Sequence, residues 1–133
     1  MTKKYEFNKT TVVLGKQSLL GYSQDSVNVT RTETLRQGSL LKADGTEATK
    51  AEASLVVGVV NDRDLTNMLL GMDYSELVPV GSDMLIAVAK RGCIFNTKGC
   101  FYKDGSPIDE AGKAALRALG NKFGEIADAE GFY

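Results

Sequence analysis

Two cysteines and no histidine set the chemical inventory of this 133-residue chain. Cys93 and Cys100 flank Asn96-Thr97-Lys98-Gly99, a turn-forming run, so the thiols can face each other across a hairpin. A catalytic thiol or hydroxyl needs a base, and without histidine there is no Cys-His or Ser-His pair. Cys93 therefore reads as a small core residue. In a reducing compartment both are expected as free thiols, with a disulfide as the alternative. A structural zinc site takes four ligands, mostly Cys and His, which this chain does not supply. Asp62 and Asp64 are a neighbouring carboxylate pair, capable in principle of acid–base work or of holding a cation. Arg63 stands between them among turn formers, which favours a solvated turn at a strand end. No G-x-x-x-x-G-K-[ST] loop occurs, and Gly38, Gly45 and Gly58 lie too far apart to cradle a phosphate. The expectation is no catalysis, no metal and no cofactor.

Bulk composition narrows the partners. Sixteen basic residues face 17 acidic ones, a net charge of −1, where a phosphate-neutralising protein carries a basic excess. The aromatic residues do not interleave with basic ones as on a single-strand platform. Direct nucleic-acid binding is not expected. Nor is a membrane partner, because no apolar run approaches the ~18 residues of a span. The N-terminus, Met-Thr-Lys-Lys-Tyr-Glu-Phe-Asn, lacks the apolar core of a signal peptide, which predicts a protein made and kept in a cytoplasm. The length fits one domain able to bury roughly two-thirds of its unfolded surface.

The elements that would position any site are mostly strands. Residues 54–60 hold Leu55, Val56, Val57, Val59 and Val60 around Gly58, and branched side chains suit a pleated surface. The run is apolar on both faces, as in a strand buried on both sides, and Asn61-Asp62 ends it. Residues 84–90 form a second apolar run that can pair with it and continue through Arg91-Gly92, a bend, into Cys93-Ile94-Phe95. Phe101-Tyr102 extends the sheet. Residues 10–14 read as a short strand ended by Gly15, 16–26 as a loop, and 27–31 as a half-exposed strand. Gly38 to Lys42 precedes the Asp44-Gly45 turn, and 46–52 is a polar hairpin extension or loop. Within the connection 61–82, Leu65, Met68, Leu69 and Met72 fall on one helix face. That face is a lid over the core or a Met-rich contact surface for another subunit.

One helix is specified over 107–119. Ser106 caps it, Pro107 occupies its first position, and Gly120 stops it. Ile108, Ala111, Gly112, Ala115, Leu116 and Leu119 share the face expected to pack on strands 54–60 and 84–90. Residues 121–133, with Phe123 and Ile126, offer a last short strand. Residues 1–9 alternate Tyr5 and Phe7 in a polar stretch, which fits either a mobile terminus or an arm that adds a strand to a partner sheet.

Four segments in order carry a resemblance: Gly38-Ser39-Leu40-Leu41-Lys42-Ala43-Asp44-Gly45, Val57-Gly58-Val59-Val60-Asn61-Asp62, Leu85-Ile86-Ala87-Val88-Ala89-Lys90-Arg91-Gly92, and the Ala-rich run Asp109 to Gly120. The chain resembles the lambda-like head-decoration proteins of tailed bacteriophages over about residues 34–126. Its connection 61–82 and its tail after Gly120 are longer than that pattern.

The resemblance implies a mostly β (α+β) fold, a small β-barrel-like or β-sandwich domain with one short C-terminal helix and an extended N-terminal arm. It implies an arm over 1–14 and a decoration domain over 15–133. The arm, with Tyr5, Phe7, Val12 and Val13, would bind the capsid; Leu65, Met68, Leu69 and Met72 would form a subunit or capsid contact. The implied role is structural: binding the outer surface of the expanded head and clamping neighbouring major capsid subunits. The implied assembly is a homotrimer, or a dimer, built in the host cytoplasm. The rivals are a dimeric jelly-roll cement or head-fibre base protein, and a host β-barrel module with an apolar ligand pocket.

Overall fold

Apolar and β-branched runs fold into strands β1 (Val13–Lys16), β2 (Gln24–Thr30), β3 (Leu40–Lys42), β4 (Val56–Val60), β5 (Asp83–Ala89), β6 (Cys93–Asn96) and β7 (Lys122–Gly124). Between them lie 3-10 turns at Lys50–Leu55 and Thr97–Gly99 and one helix, α1 (Glu110–Arg117). The computed structural model describes residues 12–16, 23–62 and 78–124. One sheet has the order β2-β5-β4-β3, antiparallel throughout; the other has the order β1-β6-β7. The fold is mostly β in the α+β class, as expected, and neither sheet closes into a barrel. β6 and β7 are parallel, an arrangement that needs a crossover, and α1 lies in it. A jelly roll is antiparallel, so this pair departs from that alternative.

β4 is buried on both faces, as its uninterrupted apolar run predicts. Val56 and Val59 join the main core with Leu40, Phe95, Tyr102 and Leu116. Val60 faces the other way, into a second cluster with Val29, Leu35, Leu41, Ile86 and Val88. A Cβ on Gly58 would lie 2.6 Å from Val88 Cγ1, so the missing side chain is what lets β5 lie so close. β5 pairs with β4 only through Val59 and Val60, but with β2 along all seven residues.

Several boundaries differ from the sequence reading. β2 begins at Gln24, inside the expected loop 16–26, because the full ladder with β5 outweighs polar composition and Asp25 is held by Arg91 at 2.9 Å and Lys90 at 3.3 Å. β1 runs through Gly15 instead of ending there, with a shift of register between Val13 and Gly15. Ser54 and Leu55 belong to the 3-10 turn that precedes β4. Phe101 forms isolated bridges, parallel to Ser39 and antiparallel to Pro107, outside the named strands.

The helix is shorter than expected at both ends. Ser106 is already engaged, its N–H and hydroxyl donating to Asp104 at 3.0 and 2.6 Å. Pro107 and Ile108 stay extended against Phe101 and Cys100. Asp109 is the cap, its carboxylate accepting from Gly112 N at 3.1 Å and from the Tyr102 hydroxyl at 2.5 Å. The Tyr102 hydroxyl leads the causes that hold the Asp109 carboxyl below the usual range. Gly112 fits because a Cβ there would fall 2.5 Å from the Tyr102 oxygen and 2.8 Å from Ile108 Cγ1. α1 ends at Arg117, and Gly120 turns the chain at φ 90°. Leu119 lies past that end and is 43% exposed, so its expected place on the packed face is wrong; Leu116, inside the helix, is fully buried. The helix packs chiefly on the 3-10 turn 50–55, β4 and β7.

Asn121 locks this corner. Its amide nitrogen donates to the carbonyls of Leu116 and Lys90, each at 2.9 Å, and its oxygen accepts from Cys93 N at 3.1 Å. At the other end of the large sheet, the Gly45 turn (φ 84°) comes back to β2, where a Cβ would meet the Asn28 carbonyl at 2.9 Å.

Two substitutions test the helix. Leu116→Ala should cost about 2–5 kcal/mol by denaturant unfolding, the lost burial plus the cavity. Leu119→Ala, at the exposed position, should stay within about 1 kcal/mol. A large loss from Leu119→Ala would contradict this placement. Gly112→Ala should destabilise despite its better helix propensity, because both close neighbours are buried.

Candidate functional site

Of the residues that the sequence reading grouped as a capsid-binding arm, Val12 and Val13 are among those described. Val12 is 1% exposed and belongs to the main core, and Val13 packs against it. Val12 accepts from Asn96 N at 2.7 Å. The domain therefore includes residues placed in the arm, because β1 needs Val12 to fill the space beside Phe95 and β6. Tyr5 and Phe7 lie outside the described residues, as do Leu65, Met68, Leu69 and Met72.

The two ends of the connection 63–77 are anchored in the large sheet. Where it leaves β4, Asn61 Nδ2 donates to Gln24 Oε1 at 3.1 Å, and its Oδ1 accepts from Gln37 Nε2 at 3.0 Å. Asp62 N donates to Gln37 Oε1 at 2.7 Å, and the Asp62 carboxylate accepts from Ala87 N at 2.9 Å. Asp62 thus extends the pairing of β4 with β5 by its side chain, a structural use for one half of the carboxylate pair; Asp64 lies outside the described residues. Where the connection returns, the Arg31 guanidinium donates to the Val78 carbonyl, and Gly81 N donates to Arg31 O at 2.8 Å.

The far side of the large sheet carries a groove of about 680 Å³ lined by segments of β2, the loop after it, the turn after β3 and the 3-10 turn. Val29 and Leu35 are its apolar floor, and Asp44, Glu47, Glu52 and Asp83 its carboxylates. Glu47 is 8% exposed, its carboxylate accepting from Thr34 Oγ1 at 2.8 and 3.0 Å and from Thr32 Oγ1 at 2.5 Å. Asp44 accepts from the Thr46 hydroxyl at 2.6 Å and the Thr46 N–H at 3.0 Å, which together hold it below the usual carboxylate range. Asp83 accepts from Thr30 Oγ1 at 3.0 Å. Lys42 meets Glu52 at 2.6 Å; its ammonium, then the N–H and hydroxyl of Thr49, hold the Glu52 carboxyl down at about 2. This groove was missed from sequence. Glu47 sits in a polar run, and only the Leu41–Glu47 bridge turns its side chain inward.

No nucleophile–base pair forms among the described residues. Both cysteines are buried, and no disulfide joins them. The 3-10 turn between them occupies the expected turn, and their thiols donate to the carbonyls of Arg91 and Asn96, each at 3.4 Å. Burial pushes the Cys100 thiol up to about 12, so it is not a thiolate near neutrality. No group of His, Cys, Asp and Glu suited to a metal ion occurs among the described residues. No helix among them is long and apolar enough to cross a membrane. Native protein at pH 7–8 should therefore resist a thiol reagent and take up two equivalents once unfolded, without added reductant. A mass two units low, restored by reductant, would show a disulfide instead.

Neither the curated proteins nor the solved structures contain a match to this chain. A family does match, that of the bacteriophage PhiTE minor capsid decoration protein, over residues 1–130. The match takes in the connection 61–82 and most of the tail after Gly120, the two segments that exceed the lambda-like pattern. It agrees with the head-decoration reading of the sequence and with a virion-associated structural role. The chain belongs to the PhiTE minor capsid decoration protein family.

Proposed function

We propose that this protein binds the outer surface of the expanded phage head and clamps neighbouring major capsid subunits against the pressure of packaged genome. It works as a binder and not as a catalyst, in several copies, a homotrimer with a dimer as the alternative. The carrying observation is the family match over nearly the whole chain. The fold supports it: a tightly packed double core and a well-bonded surface make a rigid plug, with its chemical groups spent on structure. Three weak contacts tied together gain ~10²–10⁴ in avidity with no new chemistry.

The N-terminal arm, with Tyr5 and Phe7, is the tether to the capsid, and Leu65, Met68, Leu69 and Met72 form a subunit or capsid contact. Assembly takes place in the host cytoplasm.

Co-sedimentation with expanded and unexpanded heads tests the role, with binding expected on expanded heads. If residues 2–9 serve the capsid as proposed, deleting them should leave the thermal midpoint within about 1–2 °C. It should weaken head binding by at least tenfold. Undiminished binding after the deletion would remove the tether from the mechanism.

A further inference from the structure

The groove over the far face of β2-β5-β4-β3 carries more negative charge than the fold neutralises. Of its four carboxylates, Glu52 alone is paired with a cation among the described residues, Lys42 at 2.6 Å. Asp44, Glu47 and Asp83 are held by threonine hydroxyls. A hydroxyl aims a carboxylate but leaves its charge in place. Lys103 is the one further ammonium on the lining. Beneath the acidic rim the floor of Val29 and Leu35 is apolar. A basic extended segment fits both features, with ammonium heads against the rim and hydrocarbon stems along the floor.

The chain carries such a segment. Residues 1–11 contain Lys3, Lys4 and Lys9 against one carboxylate, Glu6. They precede Val12, which is seated in the main core beside the three-stranded sheet, while the groove overlies the second cluster on the other side of the large sheet. Eleven extended residues reach at most about 36 Å, and a domain of this length is roughly 35 Å across. A segment wrapped around the sheet to its own groove would use nearly all of that reach, whereas the groove of an adjacent copy can be met without wrapping.

We infer that the groove receives the lysine-bearing N-terminal segment of a neighbouring copy, with Lys3 and Lys4 against Asp44 and Asp83. The contact is head-to-tail, and such contacts close into rings when the rotation allows. The inference rests on the head-clamp reading and adds a seat for the arm's lysines on the neighbouring copy, beside the capsid contact of Tyr5 and Phe7.

Full-length protein grown in light and heavy isotopes, mixed and treated with a carbodiimide, tests this in concentrated solution and on expanded heads. The expected products are light–heavy peptides joining Lys3 or Lys4 to Asp44 or Asp83. Their yield should fall with added salt; Asp44→Asn/Asp83→Asn, whose amide oxygens still accept from Thr46 and Thr30 but cannot be activated by the carbodiimide, is read with a lysine–lysine cross-linker joining Lys3 or Lys4 to Lys103 on the groove lining, whose light–heavy yield should fall roughly tenfold. Lys3→Gln/Lys4→Gln, which removes two of the amines, should likewise lower the light–heavy carbodiimide yield from the remaining Lys9 to Asp44 or Asp83. Peptides within one isotope only, cross-links from Lys3 and Lys4 to capsid protein instead, or no cross-link in either setting would overturn the inference. Protein that binds heads without light–heavy peptides sinks this inference alone. Protein that ignores heads sinks the clamp reading, and the solution cross-links then decide this one.

Discussion

Burial of β4 on both faces is the constraint from which the rest of the fold follows. A strand with one apolar face needs one cover; Val56 and Val59 on one side and Val60 on the other need two. The first cover is the three-stranded sheet with α1, which brings Phe95, Tyr102 and Leu116 to the main core. The second is the loop after β2, whose Leu35 closes over Leu41, Ile86 and Val88. Each such side chain contributes about 1.5–3 kcal/mol when fully buried, so losing either cover would leave several of them wet. The two-layer design also sets the chain order. β5 must leave the large sheet to become β6 in the small one, and it turns at Gly92, with φ 65°.

That turn is where polar groups take over from apolar packing. The strand ends, the helix end and the corner all bring backbone groups inside, and unpaired groups there cost about 1–3 kcal/mol each. Asn121 answers three of them with one side chain, joining the corner at Lys90 and Cys93 to the helix end at Leu116. Tyr102 and Asp109 do the same at the helix start, and the Gly112 gap makes room for the hydroxyl. The helix is thus bonded to the sheets at both termini, in addition to its apolar seat.

The sequence made the strands legible wherever side-chain type alone decides them: β4 falls within its apolar run, β5 and β6 centre on theirs, opening one residue early at Asp83 and running on to Asn96, and β7 takes in Phe123. The parts set by tertiary pairing were not legible. β2 begins three residues before its apolar alternation because β5 extends alongside it. Pro107 has the right character for a helix start, yet the bridge to Phe101 holds it extended, and Asp109 takes the cap. Leu119 continues the helical spacing of Leu116, but spacing means nothing once the helix has ended. Of the candidate site, Val12 and Val13 proved to be packing residues, while the groove carboxylates gave no pattern, because a polar run reads alike whether its side chains face solvent or a cleft.

The return of the Gly45 turn to β2 has a consequence for behaviour in bulk. Ser23 and Arg31 bond across to Lys90 and Ser82, so by alternation the backbone of Asn28 faces away from β5, on the open margin of the sheet. A seven-residue margin with one charged residue and no proline is the kind of template on which chains stack and precipitate. The turn stands against its middle, at the Asn28 carbonyl, and interrupts the run of free groups that an incoming strand would need. A single side-chain-free residue, folded back on the sheet's own rim, thus stands where an incoming strand would have to pair.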